Sequence, residues 1–132
     1  MKPSIQQKAR ILVVEDDLDL TGLINDVFSD VGYEVITVSE VEDIVALVDE
    51  VEPHVVLLDY ILPKSNGGEL CKQIKGDARF QSIPVIISSG LSKEQVALEE
   101  YGCDSFLSKP FDLDELIRLF EKALRGHKIS IT

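Results

Sequence analysis

Five short runs of apolar, mostly β-branched residues punctuate this chain: Ile11–Val14, Val35–Val38, Val55–Leu58, Val85–Ile87 and Phe106–Leu107. A strand with one solvated face alternates apolar and polar residues. These runs do not alternate, so each must be covered on both faces, as in a parallel sheet sandwiched by helices. Between them lie segments of helical period, around Leu18–Val31, Val41–Glu50, Gly68–Lys75 and Lys93–Glu100, with Leu113–Leu124 closing the series. Leu20, Leu23, Ile24 and Val27 carry the 3.6-residue spacing in the first, and Leu113, Leu116, Ile117 and Phe120 in the last. Five repeats of strand then helix predict a doubly wound α/β domain, its right-handed crossovers placing helices on both faces. Ser39 with Glu42, Ser92 with Gln95, and Asp112 with Glu115 fit capping boxes at helix starts. Gly32 and Gly102 stand where helices should stop.

The 132 residues suffice for one domain with a substantial core. The net charge of −11 repels phosphate backbones and anionic headgroups, which argues against direct nucleic-acid or membrane binding. No apolar run approaches the ~18 residues of a membrane span, and the polar, basic start is no signal peptide, so a cytoplasmic protein is expected. Cys71 and Cys103 fit no metal spacing and read as reduced packing residues. Residues 1–8 and 126–132 read as loosely held ends around a domain at 9–125.

The polar residues that end the runs are the chemically informative ones. Glu15-Asp16-Asp17 follows the first, Asp59 the third, Ser88-Ser89 the fourth and Lys109-Pro110 the fifth. Ligands of open α/β sheets bind at the carboxyl ends of the strands. If these strands are parallel neighbours, acids, a hydroxyl and a lysine meet at one edge. Three clustered carboxylates are tolerable when protonated, paired with lysine or bridged by a cation. Oxygen ligands with room for water and phosphate suit Mg²⁺ or Mn²⁺. Glu15 and Asp16 read as the metal-facing pair and Asp17 as a helix N-cap. Lys109 supplies a positive charge for Asp59 or for a phosphoryl oxygen.

Ile11-Leu-Val-Val-Glu-Asp-Asp17, Leu57-Leu-Asp-Tyr-Ile-Leu-Pro63, Pro84-Val-Ile-Ile-Ser-Ser-Gly90 and Lys109-Pro110-Phe111 resemble the motifs of the receiver domain of two-component response regulators, the chemotaxis-regulator-like class. The resemblance covers about residues 9–125, with intervals of 43 residues from Asp16 to Asp59, 30 to Ser89 and 20 to Lys109. It implies a flavodoxin-like, five-stranded parallel sheet of order 2-1-3-4-5 with five helices. It implies that Asp59 is the phosphoacceptor, taking a phosphoryl group from a phosphohistidine of a sensor histidine kinase or histidine phosphotransfer protein. Glu15, Asp16, Asp59 and the backbone carbonyl of Ile61 match the Mg²⁺ (or Mn²⁺) ligands. Ser89 and Lys109 match the phosphoryl-binding hydroxyl and amine, and Ser89 with Phe106 the switch pair. The bond before Pro110 is expected to be cis. Output is expected through the surface of the fourth helix, fifth strand and fifth helix, toward an unidentified protein target. By the same resemblance the chain is a bacterial phosphoacceptor switch, not an enzyme acting on other substrates.

Some positions depart from the family pattern. The stretch from Ser89 to Lys109 is one or two residues short, so the fourth helix should be short or shifted. Ser105 and the segment around Arg118 match only part of the charged dimer pattern of the transcription-factor subfamily. Ile61 and Leu91 are apolar at positions flanking the phosphate pocket, which predicts slow self-dephosphorylation. His54 reads as a strand-start surface residue and His127 as inert; Tyr60 and Tyr101 read as packing residues. A flavodoxin-type cofactor binder needs a Gly/Ser/Thr-rich phosphate loop after the first strand, where this chain has three acids. A phosphatase with an aspartate nucleophile commonly has a second Asp where Ile61 stands. The remaining alternative is a degenerate receiver acting as a constitutive interaction module. The ends of the chain lean toward a stand-alone regulator over an excised domain.

Overall fold

The computed structural model describes residues 8–131. Its five parallel strands are β1 (Arg10–Val14), β2 (Glu34–Val38), β3 (Val55–Asp59), β4 (Val85–Ser89) and β5 (Ser105–Ser108), ordered β2-β1-β3-β4-β5. The helices are α1 (Leu18–Val31), α2 (Ile44–Val51), α3 (Gly67–Lys75), α4 (Lys93–Val96), α5 (Leu98–Tyr101) and α6 (Leu113–Ile131). This is the expected flavodoxin-like topology, with the fourth helix of the sequence pattern present as the pair α4 and α5.

The unbroken apolar runs split by parity, as the two-residue period of a strand requires. Leu12, Val14, Val56, Leu58, Val85 and Ile87 face one way, onto Ile44 and Val48 of α2, Leu70, Cys71 and Ile74 of α3, and Val96. Ile11, Val13, Val55, Leu57, Ile86 and Leu107 face the other way, onto Ile24 and Phe28 of α1 and Leu116 and Phe120 of α6. Each layer is sealed by helices, so β1, β3 and β4 are buried along nearly their whole length.

Three local details differ from the sequence pattern. The buried stripe of α1 is Thr21, Ile24 and Phe28, and Leu23 is 55% exposed. Phe28 sets that rotation by meeting Phe120 edge-on at 5.3 Å between ring centroids. The second helix starts at Ile44, not near Val41, because the Asp43 carboxylate accepts from the Ala46 amide (3.1 Å) and displaces the Ser39–Glu42 box. The last helix continues to Ile131, past the periodic stretch that ends at Leu124. The other caps form as expected: Asp17 accepts from Leu20 N–H, Gly32 and Gly102 adopt positive φ, and Ser92 with Gln95 closes a complete capping box. At α6, Glu115 accepts from the Asp112 amide (3.1 Å). Residues 1–7 of the expected loose N-terminal segment lie outside the described residues, as does the His127 side chain.

Between α4 and α5 the chain reverses hand at Ala97 (φ 57°, ψ 50°). That single left-handed residue keeps Val96 in the core while Tyr101 reaches back to α3. The bond between Lys109 and Pro110 is cis.

Candidate functional site

Strand register gathers the polar ends. Val14 is level with Leu58, so Glu15 follows β1 beside Asp59. Asp59 is level with Ser88, and Ser89 with Ser108, so Lys109 emerges one residue beyond Ser89. The Lys109 amide donates to the Ser89 carbonyl (2.8 Å), which fixes that exit. Four strand ends therefore meet at the carboxyl edge of the sheet, where the side chains of three of them, Glu15, Asp59 and Lys109, come together.

There, the Lys109 ammonium pairs with Glu15 Oε1 at 2.7 Å and Asp59 Oδ1 at 3.3 Å. Glu15 is 3% exposed and Asp59 6%, so both charges sit in poorly solvated surroundings. Glu15 Oε2 also accepts from the Asp17 amide (3.1 Å). Asp16 is exposed, and one oxygen each from Glu15, Asp16 and Asp59 lie within 4.8 Å of one another. Burial pushes the Asp59 carboxyl up to about 6, and the negative charge of Glu15 adds to the shift; Lys109 opposes both. Burial works against the Lys109 charge, but the hydrogen bond to Glu15 and the field of Asp59 outweigh it and hold the ammonium above its ordinary range. One cation balancing two buried carboxylates leaves the pocket net negative, which favours a divalent cation. Three carboxylates with no nitrogen or sulfur ligand fit Mg²⁺.

The buried Ser89 hydroxyl accepts from the Leu91 amide (2.9 Å), tying the pocket to the loop that leads into α4. Phe106 is half-buried against the core layer that contains β3 and β4, and lines a groove between α4 and α6. Ile61 is 61% exposed and bridged to Asn66. His54 is not among the site residues; its Nδ1 accepts from the Arg10 amide (3.0 Å) at the opposite end of the sheet.

Sequence reasoning passed over two glycines. A Cβ on Gly67 would stand 2.5 Å from the Asp59 carbonyl oxygen, so only glycine lets α3 start this close to the acceptor strand. A Cβ on Gly68 would stand 2.5 Å from the Tyr101 ring, which packs there and meets the ring of Tyr60, the residue after Asp59, at 6.4 Å between centroids. The neighbouring Tyr60 phenol, with burial, pushes the Tyr101 phenol up to about 12. The adjacent pair Gly67-Gly68 at a helix start was the available signal, since glycine weakens a helix unless space demands it.

An open α/β sheet of flavodoxin topology with an anionic, lysine-bridged pocket at its carboxyl edge is the class these observations define. The family model for the response regulator receiver domain matches residues 11–121. The chain belongs to that family, whose members are the receiver domains of two-component systems, bind Mg²⁺ at an acidic pocket, and interact with sensor kinases or phosphotransfer proteins. It is 35% identical over 118 residues to the transcriptional regulatory protein TcrA of Mycobacterium tuberculosis, covering 89% of this chain and 47% of TcrA. It is 30% identical to the DNA-binding dual master transcriptional regulator RpaA of Synechocystis, covering 88% of this chain and 49% of RpaA. The chain thus spans about half the length of these curated relatives. Among solved structures, the receiver domain of NtrX from Brucella abortus superposes with a TM-score of 0.76 at 32% identity, covering 87% of this chain and 98% of that one. Chemotaxis protein CheY4 of Vibrio cholerae shares the fold, with a TM-score of 0.81 at 22% identity over 89% of this chain and 99% of that one. No helix among the described residues is long and apolar enough to cross a membrane.

Proposed function

We propose that Asp59 accepts a phosphoryl group from a phosphohistidine on a sensor kinase or phosphotransfer protein, in a Mg²⁺-dependent reaction. The observation that carries this reading is the Lys109 ammonium held between Glu15 and Asp59 at the pocket floor. Glu15, Asp16 and Asp59 would hold the cation, with the Ile61 carbonyl as a further ligand by family resemblance. A bound divalent cation supplies neutralising charge for the phosphoryl oxygens. Asp59 forms the new O–P bond as the donor's N–P bond breaks, and the donor imidazole takes up a proton. Phosphoryl transfer asks the protein for in-line positioning and charge stabilisation, and Lys109 supplies the second to the transferred oxygens.

The added charge then recruits the Ser89 hydroxyl, which leaves the Leu91 amide to donate to a phosphoryl oxygen. Phe106 turns into the space vacated. The changed surface comprises α4, β5 and α6, where Lys93, Phe106, Arg118 and Lys122 line the groove that a protein target would read.

Incubation with acetyl phosphate and Mg²⁺, read by intact mass, tests the proposal. One phosphate per chain is expected in the wild type and none in Asp59→Asn. Labelling of Asp59→Asn at the wild-type level, or of the wild type in excess chelator, would overturn it.

A further inference from the structure

The phosphoryl pocket leaves both cysteines unused, and the fold brings them together. Cys71 is fully buried on the inner face of α3. Cys103, half-buried, lies between α5 and β5 and packs against the core layer to which Cys71 belongs. Neighbouring contacts fix the approach independently. Lys75, one turn beyond Cys71, pairs with Asp104, the residue after Cys103, at 2.6 Å. The same lysine stem passes 3.8 Å from where a Cβ on Gly102 would stand. Lys75 is held further by the Ile83 carbonyl (2.7 Å). Between these contacts the two thiols lie close enough to act on each other electrostatically.

We propose that Cys71 and Cys103 are a peroxide-sensitive thiol pair, oxidised to an intramolecular disulfide that staples α3 to the turn entering β5.

The two sulfurs are unequal. The neighbouring Cys71 sulfur holds the Cys103 thiol below its ordinary range; Lys75 helps, while burial and Asp104 oppose. The Cys103 sulfur beside it, then burial, push the Cys71 thiol far above its ordinary range. Cys71 is fully buried and Cys103 half-buried, so peroxide reaches Cys103 first; Cys103 is the attacking thiolate and Cys71 the resolving thiol. The Cys103 thiolate attacks one oxygen of hydrogen peroxide. The O–O bond breaks, and hydroxide leaves and is protonated to water, giving Cys103 sulfenic acid. The Cys71 sulfur then attacks the Cys103 sulfur. The S–O bond breaks, and the departing hydroxide takes the Cys71 proton as a second water. Two electrons pass from the thiols to peroxide.

The test uses the full, reduced chain with hydrogen peroxide, followed by a denaturing quench containing an alkylating agent. Intact mass should show loss of two hydrogens and of both alkylation sites. A non-reduced digest should show the Cys71 and Cys103 peptides joined, and thiol reductant should restore both sites. Cys71→Ala should stop at Cys103 sulfenic acid, trapped by a cyclic 1,3-dione. Cys103→Ala, at the less buried position, should leave Cys71 unoxidised in the folded chain. The proposal fails if both thiols still alkylate after a dose that oxidises glutathione in the same tube. It fails equally if Cys103 over-oxidises while Cys71 stays free, or if the bond joins two chains. These readouts involve no phosphate and stand apart from the test of Asp59.

Discussion

Lys109 and Asp59 show how single side chains set the pocket's behaviour. Asp59 titrates at about 6 in the fold against 3.8 ordinarily, because burial and Glu15 both disfavour its charge. The folded pKa is raised, so the contribution of protonated Asp59 to stability is complete below pH 3.8 and is lost as pH rises through about 6. Asp59→Asn should therefore leave the metal-free protein unchanged in stability near pH 3.5 and stabilise it by on the order of 1–3 kcal/mol at pH 7. Urea unfolding in chelator at the two pH values checks this. Lys109→Met keeps the apolar stem and removes the charge that opposes the shift. It should move the Asp59 titration still higher, as read by carbon NMR of the carboxyl group.

At the scale of elements, the glycines of the third helix and the residue that splits the fourth invite direct comparison. Gly67→Ala drives a methyl group into the Asp59 carbonyl and should cost about 1–3 kcal/mol. Gly22→Ala, mid-helix on α1 with nothing within 4 Å of the new Cβ, should stabilise by about 0.5–1 kcal/mol. Thermal melts of the two variants should move in opposite directions. Ala97→Gly relieves the left-handed backbone and should stabilise by about 1 kcal/mol in the same assay. The sequence made the strands legible because buried parallel strands carry uninterrupted β-branched runs that nothing else in the chain imitates. It placed α1 from Leu18 to Val31 through Asp17 and Gly32. It did not place the start of α2, where Asp43 and Ser39 compete as caps and the winner depends on how Ile44 and Val48 meet the sheet. Nor could it locate the reversal at Ala97, since alanine is the best helix former and its conformation there follows from contacts made at Val96 and Tyr101.

For the molecule as a whole, the charge surplus and the acidic pocket should make stability depend on the proposed cation. With Mg²⁺ bound to the folded pocket as proposed, the free energy of unfolding should rise by ~2.7 kcal/mol at 100 times the dissociation constant. The melting temperature should climb with MgCl₂ beyond the rise given by NaCl of equal ionic strength, and Asp16→Asn should remove most of the excess. Glu15, Asp16, Asp59, Ser89 and Lys109 were legible in the sequence because each stands at the end of a recognisable strand, and register then aligns them. The Tyr60–Tyr101 contact and the meeting of Cys71 with Cys103 were not, because both depend on how α5 folds back over α3, a packing decision without a local sequence signature.

The reversal at Ala97 leaves two single turns where a continuous rod would be, and a jointed rod does not transmit a tilt from one end to the other. On the proposed switch, a displacement that starts at Ser89 would reach the turn at Lys93–Val96 and be absorbed at the joint, with Tyr101 moored beside Gly68. A protein that distinguishes the two signalling states proposed for this chain should therefore grip the near turn and ignore the far one.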